Sequence, residues 1–252
     1  MAENQFFNGD RRDFIRLAIA GTAALGLAVS SQAVFGQTSG GAPLKIATIG
    51  SGRIGSALGT IWVKAGHPVM FSSRHPESLK SLVDSLGPLA RAGTPAEAIA
   101  FADVVLLAVP FGAMPQIAKD YGKELATKRL VLDATNPIVP RDGEVAVQAR
   151  EKGAGAAAAE LLPGAHIVRA FNAIGFSRLP EQAMRPVAER NGMPIAGDDA
   201  NAIALASILV REVGLEPVLI GPLTMGKYLI PGTPLAGEHT PQQIREILTT
   251  LK

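Results

Sequence analysis

Three glycines constrain this chain more than anything else in it: Gly50-Ser51-Gly52-Arg53-Ile54-Gly55. They sit between the apolar run Leu44–Ile49 and a helical pattern of apolar residues at Ile54, Leu58, Ile61 and Trp62. A G-x-G-x-x-G cluster that ends a strand and opens a helix predicts a turn shaped to receive a dinucleotide. Gly50 permits the tight turn, Gly52 lets the backbone approach a pyrophosphate, and Gly55 lets the helix pack closely on the strand. The helix N-terminus offers unpaired N–H groups and a positive dipole end to the phosphates. Gly50, Ser51, Gly52, Arg53, Ile54 and Gly55 are therefore candidate cofactor-binding residues.

The next strand is expected at Pro68–Phe71, and its end, Ser72-Ser73-Arg74, decides the cofactor. An NAD-binding fold carries an acid here, about 20 residues past the fingerprint, for the ribose 2′-hydroxyl. This chain has two hydroxyls and an arginine instead, which suit a 2′-phosphate. The reading is NADP(H), with Ser72, Ser73 and Arg74 as ligands of that phosphate.

Strands and helices then alternate. A short third strand is expected at Pro88–Ala92. Thr94-Pro95 with Glu97 opens a helix. The run Ala102–Val109 reads as a buried parallel strand, and Arg129–Asp133 as another. Residues 138–155 have few periodic apolar positions and read as a loop folding over the cofactor. Further strands are expected at His166–Phe171, Pro194–Ala196 and Leu215–Ile220. Asp198-Asp199 caps a helix over 200–213, and Thr240-Pro241 opens a last amphipathic one. The predicted fold is α/β: a doubly wound, mostly parallel Rossmann-type sheet with a small C-terminal extension. Residues 44–140 would be the NADP-binding domain, and 141–252 would complete the sheet and the acceptor site. Ligands lie outside the carboxyl ends of such strands. Ala108-Val109-Pro110 and Asn136-Pro137 would therefore border the nicotinamide.

Residues 1–36 read as an export signal. Asp10-Arg11-Arg12-Asp13-Phe14-Ile15-Arg16 precedes the apolar run Leu17–Val29, which is followed by small residues. That run is shorter than the ~20 residues a permanent span needs. Paired arginines before Phe-Ile resemble the twin-arginine signal, whose translocase carries folded proteins. The expectation is a periplasmic protein that binds its dinucleotide before export, with residues 37–43 as a linker.

A net charge of +2 gives no reason to expect nucleic acid as a partner. With no cysteine, disulfides, thiolate metal sites and cysteine nucleophiles are excluded, and the four histidines do not cluster, so no metal is expected. Asp133, His166 and Arg169 could assist protonation or anion binding, although a strand-end cap and partly solvated polar residues explain them as well. No catalytic residue is assigned.

Thr48–Gly59, Ser72–Arg74, Ala108–Pro110, Asp133–Pro137, Arg169–Asn172 and Gly197–Asp199 occur in an order that resembles the NADPH-dependent F420 reductase family. Its fold also appears in STEAP metalloreductase domains. The resemblance covers residues 44–223. It implies hydride transfer between NADPH and a deazaflavin (F420) or flavin-like acceptor. It places Ser73 and Arg74 at the 2′-phosphate, and Asn136-Pro137 and Phe171-Asn172 on loops near cofactor or acceptor. Such transfer needs orientation more than an acid or base. The alternatives are a reductase of a small imine or carbonyl compound, which predicts a long helical dimerisation domain, and an exported NADP-binding module without turnover. A homodimer is left open.

Overall fold

Short runs rich in valine, leucine and isoleucine, buried on both faces, form the strands, as a sheet covered by helices on both sides requires. The computed structural model describes residues 42–251. Its strands are β1 (Ile46–Ile49), β2 (Val69–Ser72), β3 (Ala90–Gly93), β4 (Val104–Leu107), β5 (Leu130–Asp133), β6 (Ile167–Arg169), β7 (Gly192–Gly197) and β8 (Glu216–Gly221). They form one sheet in the order β3-β2-β1-β4-β5-β6-β7-β8. Every neighbouring pair is parallel except β6 with β7. This is the doubly wound Rossmann-type α/β fold. Residues 1–36, the region of the export reading, and most of the linker lie outside the described residues. No described helix is long and apolar enough to cross a membrane.

The helices are α1 (Arg53–Lys64), α2 (Lys80–Leu86), α3 (Pro95–Phe101), α4 (Met114–Leu125), α5 (Val139–Asp142), α6 (Glu144–Lys152), α7 (Ala154–Leu161), α8 (Leu179–Gln182), α9 (Ala200–Glu212) and α10 (Pro241–Leu248). Alternation along β4 supplies both layers of core. Val104 and Leu106 join Leu58 and Trp62 of α1 and Leu209 of α9 on one face. Val105 and Leu107 join Ile99, Met114 and Leu125 on the other. Thr94 makes the expected capping box with Glu97, Thr240 caps α10 as expected and does so through a capping box with Gln243, and Asp199 caps α9 by accepting from Ala202 N–H at 2.7 Å.

One expectation about the secondary structure is overturned. Residues 138–155 are not a loop; they form α5, α6 and the start of α7. Gly143 and Gly153, both at positive φ, separate these helices. The face that α6 buries is made of Ala146 and Ala149, small residues that leave little periodic hydrophobic contrast in the sequence. The third strand runs Ala90–Gly93, shifted two residues from its expected start.

Candidate functional site

The chain leaves β1 for β2 on one side, while β4 lies on the other, so a crevice opens at the carboxyl ends of β1 and β4. At its edge, Gly50 adopts φ +92°, where an added Cβ would lie 2.7 Å from Ala108 O and from Val109 Cγ1. A Cβ on Gly55 would lie 2.1 Å from Gly50 O. Both glycines are thus required by the protein's own packing. Gly52 differs: a Cβ there would meet nothing within 4 Å. Its bareness relieves no internal contact and leaves the backbone approachable from outside.

The turn is pinned from below. Ser51 N–H donates to Ser72 O at 3.0 Å, and Thr48 Oγ1 shares a 2.7 Å hydrogen bond with Ser51 Oγ. Ser56 Oγ donates to Ser51 O at 2.8 Å. Ser51 N–H is therefore already used, and the N–H groups of Gly52, Arg53, Ile54 and Gly55 have no acceptor among the described residues. No side chain caps α1. Four donors and the positive dipole end converge on the crevice, an arrangement suited to a phosphate-bearing ligand.

Arg53, Ile54, Ala108, Val109, Pro110 and Asn136, all singled out by the sequence, line one cleft of about 290 Å³ with Ala134 and Arg141. Backbone bonds past the strand ends, Ala108 N–H to Ile49 O (2.9 Å) and Ala134 N–H to Leu107 O (3.0 Å), hold its walls in register. A larger trough of about 650 Å³ lies on the flank between α4 and α7, lined by Lys119, Lys123, Glu160 and Leu161 among others. It contains none of the motif residues. The smaller cleft is the candidate site.

Arg141 was not visible as a site residue in the sequence. Its guanidinium donates to Asn136 O and to both oxygens of Asp142, each at 2.8 Å. Burial pushes the Asp142 carboxyl up, but hydrogen bonds from Arg141 and from the N–H groups of Ile138 and Gly112 outweigh it and hold the carboxyl below its ordinary value. The Arg141 guanidinium is pushed further up by the same pairing. Asp142 thereby ties the segment after β5 to the loop after β4, two walls of the cleft.

Behind Asn136 lies a buried network. Asp133 accepts from Thr135 N–H (2.8 Å) and Thr135 Oγ1 (2.6 Å), and its other oxygen pairs with Arg169. Arg169 also donates to Thr135 O (3.0 Å) and Leu229 O (3.1 Å). Asn172 Nδ2 donates to Thr135 O (2.8 Å), and Asn136 Nδ2 to Asn172 O (3.0 Å). Arg169 is fully buried, contrary to the partly solvated reading, and acts as a brace under the cleft. Phe171, between Arg169 and Asn172, is held at φ +65°, a costly state for a bulky residue. Its ring is fixed edge-on against Trp62. His166 is half exposed, 3.4 Å from Asp199.

Ser72 departs from its expected role. Its side chain is fully buried and donates to Thr48 O at 2.9 Å, so it faces the sheet and not a ligand. Ser73 is half-buried and its Oγ accepts from His75 N–H at 3.0 Å. Arg74 is exposed and has no hydrogen-bond or ion-pair partner among the described residues. Pro137 is buried next to Asn136, and its carbonyl accepts from Arg150 Nη1 at 3.4 Å.

Residues 45–137 match the family model described as NADP oxidoreductase, coenzyme F420-dependent. No curated protein matches the sequence. A hypothetical protein from Sinorhizobium meliloti is 27% identical with a TM-score of 0.64, over 79% of this chain and 96% of that one. A protein from Arthrobacter sp. FB24, described as an F420-dependent NADP reductase, is 20% identical with a TM-score of 0.60, over 73% and 87%. An imine reductase from Pseudomonas sp. is 16% identical with a TM-score of 0.52, over 83% and 62%.

Proposed function

We propose that this chain is an NADP(H)-dependent oxidoreductase that passes a hydride between NADPH and a deazaflavin (F420) or flavin-like acceptor. The match of residues 45–137 to an NADP oxidoreductase family supports the cofactor class. The observation that carries the reading is the contrast among the three glycines, two required by internal contacts and Gly52 facing open space beside four free N–H donors. In this proposal those donors hold the pyrophosphate, Ser73 and Arg74 take the 2′-phosphate, and Ala108, Val109, Pro110, Asn136 and Pro137 wall the nicotinamide. Bound NADPH supplies the hydride, so the chain needs only to orient two rings and exclude water. Asp142 and Arg141 keep those walls together.

Gly52→Ala tests this. Alanine is a poorer N-cap than glycine, a cost of at most about 1 kcal/mol in stability. If the backbone at Gly52 meets a pyrophosphate, the added methyl group stands in its way. The expected result is a near-native melting temperature with NADPH affinity reduced more than tenfold, measured by calorimetry. Unchanged affinity would remove the basis of the proposal. The reading as an imine reductase is less favoured. The chain spans 62% of the Pseudomonas enzyme, and after β8 the described residues hold, besides a short 3₁₀ turn, a single eight-residue helix, α10.

Export by the twin-arginine route belongs to the same proposal and rests on the Arg11-Arg12-Asp13-Phe14-Ile15 pattern. N-terminal sequencing of the protein recovered from periplasm checks it. An intact N-terminus in the cytoplasm would end it.

A further inference from the structure

The segment after β6 carries an exposed aromatic to the side chain of Arg53, a residue that lines the cleft. Phe176 opens a short 3₁₀ turn, Phe176–Arg178, and keeps 38% of its surface exposed. Its ring centroid lies 5.3 Å from the guanidinium of Arg53, a residue of the cleft wall. At the start of α5, Val139 is 40% exposed, two residues from Arg141. Exposed large apolar side chains are few among the described residues, and these two stand in the segments that follow β6 and β5, near Arg53 and Arg141.

The Phe176 loop is held in place from behind. Gly237 N–H donates to Ala173 O at 2.9 Å. Arg178 Nε donates to Glu238 at 2.5 Å, and Glu238 also accepts from Asn191 at 2.9 Å and Gln182 at 3.3 Å. The Arg178 hydrogen bond, against the opposing effect of burial, holds the Glu238 carboxyl below its ordinary value. The Gly237-Glu238 segment, itself held by Asn191 and Gln182, thus fixes a segment whose leading side chain is apolar and turned to solvent. Arg53 has no carboxylate partner among the described residues.

We propose that Phe176 is the stacking face for the acceptor, which is a planar conjugated ring bearing negative charge, and that Arg53, whose charge no carboxylate among the described residues offsets, takes that charge. This rests on the cleft being the cofactor site. An aromatic face suits a planar ring, and guanidinium groups suit carboxylate or phosphate. The proposal selects against small, non-planar or cationic acceptors.

The test is equilibrium binding of FMN and of riboflavin, the same ring without the phosphate, read by quenching of flavin fluorescence with and without NADP⁺. Wild type, Phe176→Ala and Phe176→Tyr are compared, and NADP⁺ binding is followed separately by calorimetry. FMN is expected to bind more tightly than riboflavin. Phe176→Ala should weaken both about tenfold, roughly 1.4 kcal/mol, while Phe176→Tyr retains them and NADP⁺ affinity stays put in both variants. Riboflavin binding as tightly as FMN would overturn the charge assignment. No quenching by wild type at millimolar protein-accessible concentrations, or Phe176→Ala binding like wild type, would overturn the stacking role. A wild type that fails to bind NADP⁺ defeats the function proposed above, whereas NADP⁺ binding without flavin binding defeats only this inference.

Discussion

Asp133→Ala is expected to lower the melting temperature by roughly 10–15 °C. The substitution leaves the Arg169 guanidinium fully buried with its one carboxylate partner among the described residues gone. Breaking a buried pair in this way costs about 3–5 kcal/mol, because the remaining charge is uncompensated. In a domain of this size each kcal/mol is worth about 2–4 °C. Thr135 would also lose the acceptor of both its N–H and its hydroxyl. The damage should spread to the cleft, since Thr135 O anchors Asn172 and Asn172 O anchors Asn136. NADPH affinity should therefore fall along with stability. The paired change Asp133→Leu with Arg169→Met removes both charges and should recover much of the loss, since buried ion pairs rarely outperform apolar replacements of similar volume. Thermal unfolding of the single and double variants distinguishes these cases. A single variant within 1 kcal/mol of wild type would mean that water reaches Arg169 and that the brace is not what holds the cleft.

The motif half of this site was legible because its demands are local. A turn that must pass Gly50 O within reach of Gly55, and Ala108 O within reach of Gly50, admits only glycine at those positions, and the sequence records it. The strand ends at Val109-Pro110 and Asn136-Pro137 announce themselves through uninterrupted apolar runs followed by turn residues. Arg169 announces nothing of its burial. The space for it is cleared by Gly226, far along the chain, where a Cβ would come 2.5 Å from Arg169 Cδ. Its partners come from β5, the loop after β5 and the segment at Leu229. Ser72 was misread for a similar reason. It is the last residue of β2, and its hydroxyl is drawn inside by a carbonyl on the neighbouring strand. Spacing alone could not separate it from Ser73. Arg141 lies in α5, a four-residue helix with a proline and no buried residue, too short to leave a periodic apolar pattern, so neither its helix nor its place in the cleft was visible.

Arg74→Ala is expected to raise the dissociation constant for NADPH by 10- to 100-fold while changing that for NADH by no more than about twofold. Charge-assisted hydrogen bonds to a phosphate are worth about 1.5–3 kcal/mol, and NADH offers no phosphate at that position. The structure gives Arg74 the freedom the role requires: exposed, unpaired among the described residues, and next to a strand tip that Ser51 N–H pins to the glycine turn through Ser72 O. Its nearest acidic neighbour in sequence, Glu77, faces His75 at 3.4 Å instead. Arg74→Lys keeps the charge but loses the planar fork, so it should fall between wild type and alanine. Raising salt should narrow the NADPH–NADH gap in wild type, because an exposed contact is screened, and should leave Arg74→Ala almost unaffected. Equal losses for the two dinucleotides would place Arg74 away from the 2′-phosphate. The absence of an acid after β2 would then have to be explained by a ribose bound through Ser73 alone, and the preference for NADP(H) would no longer follow from this turn.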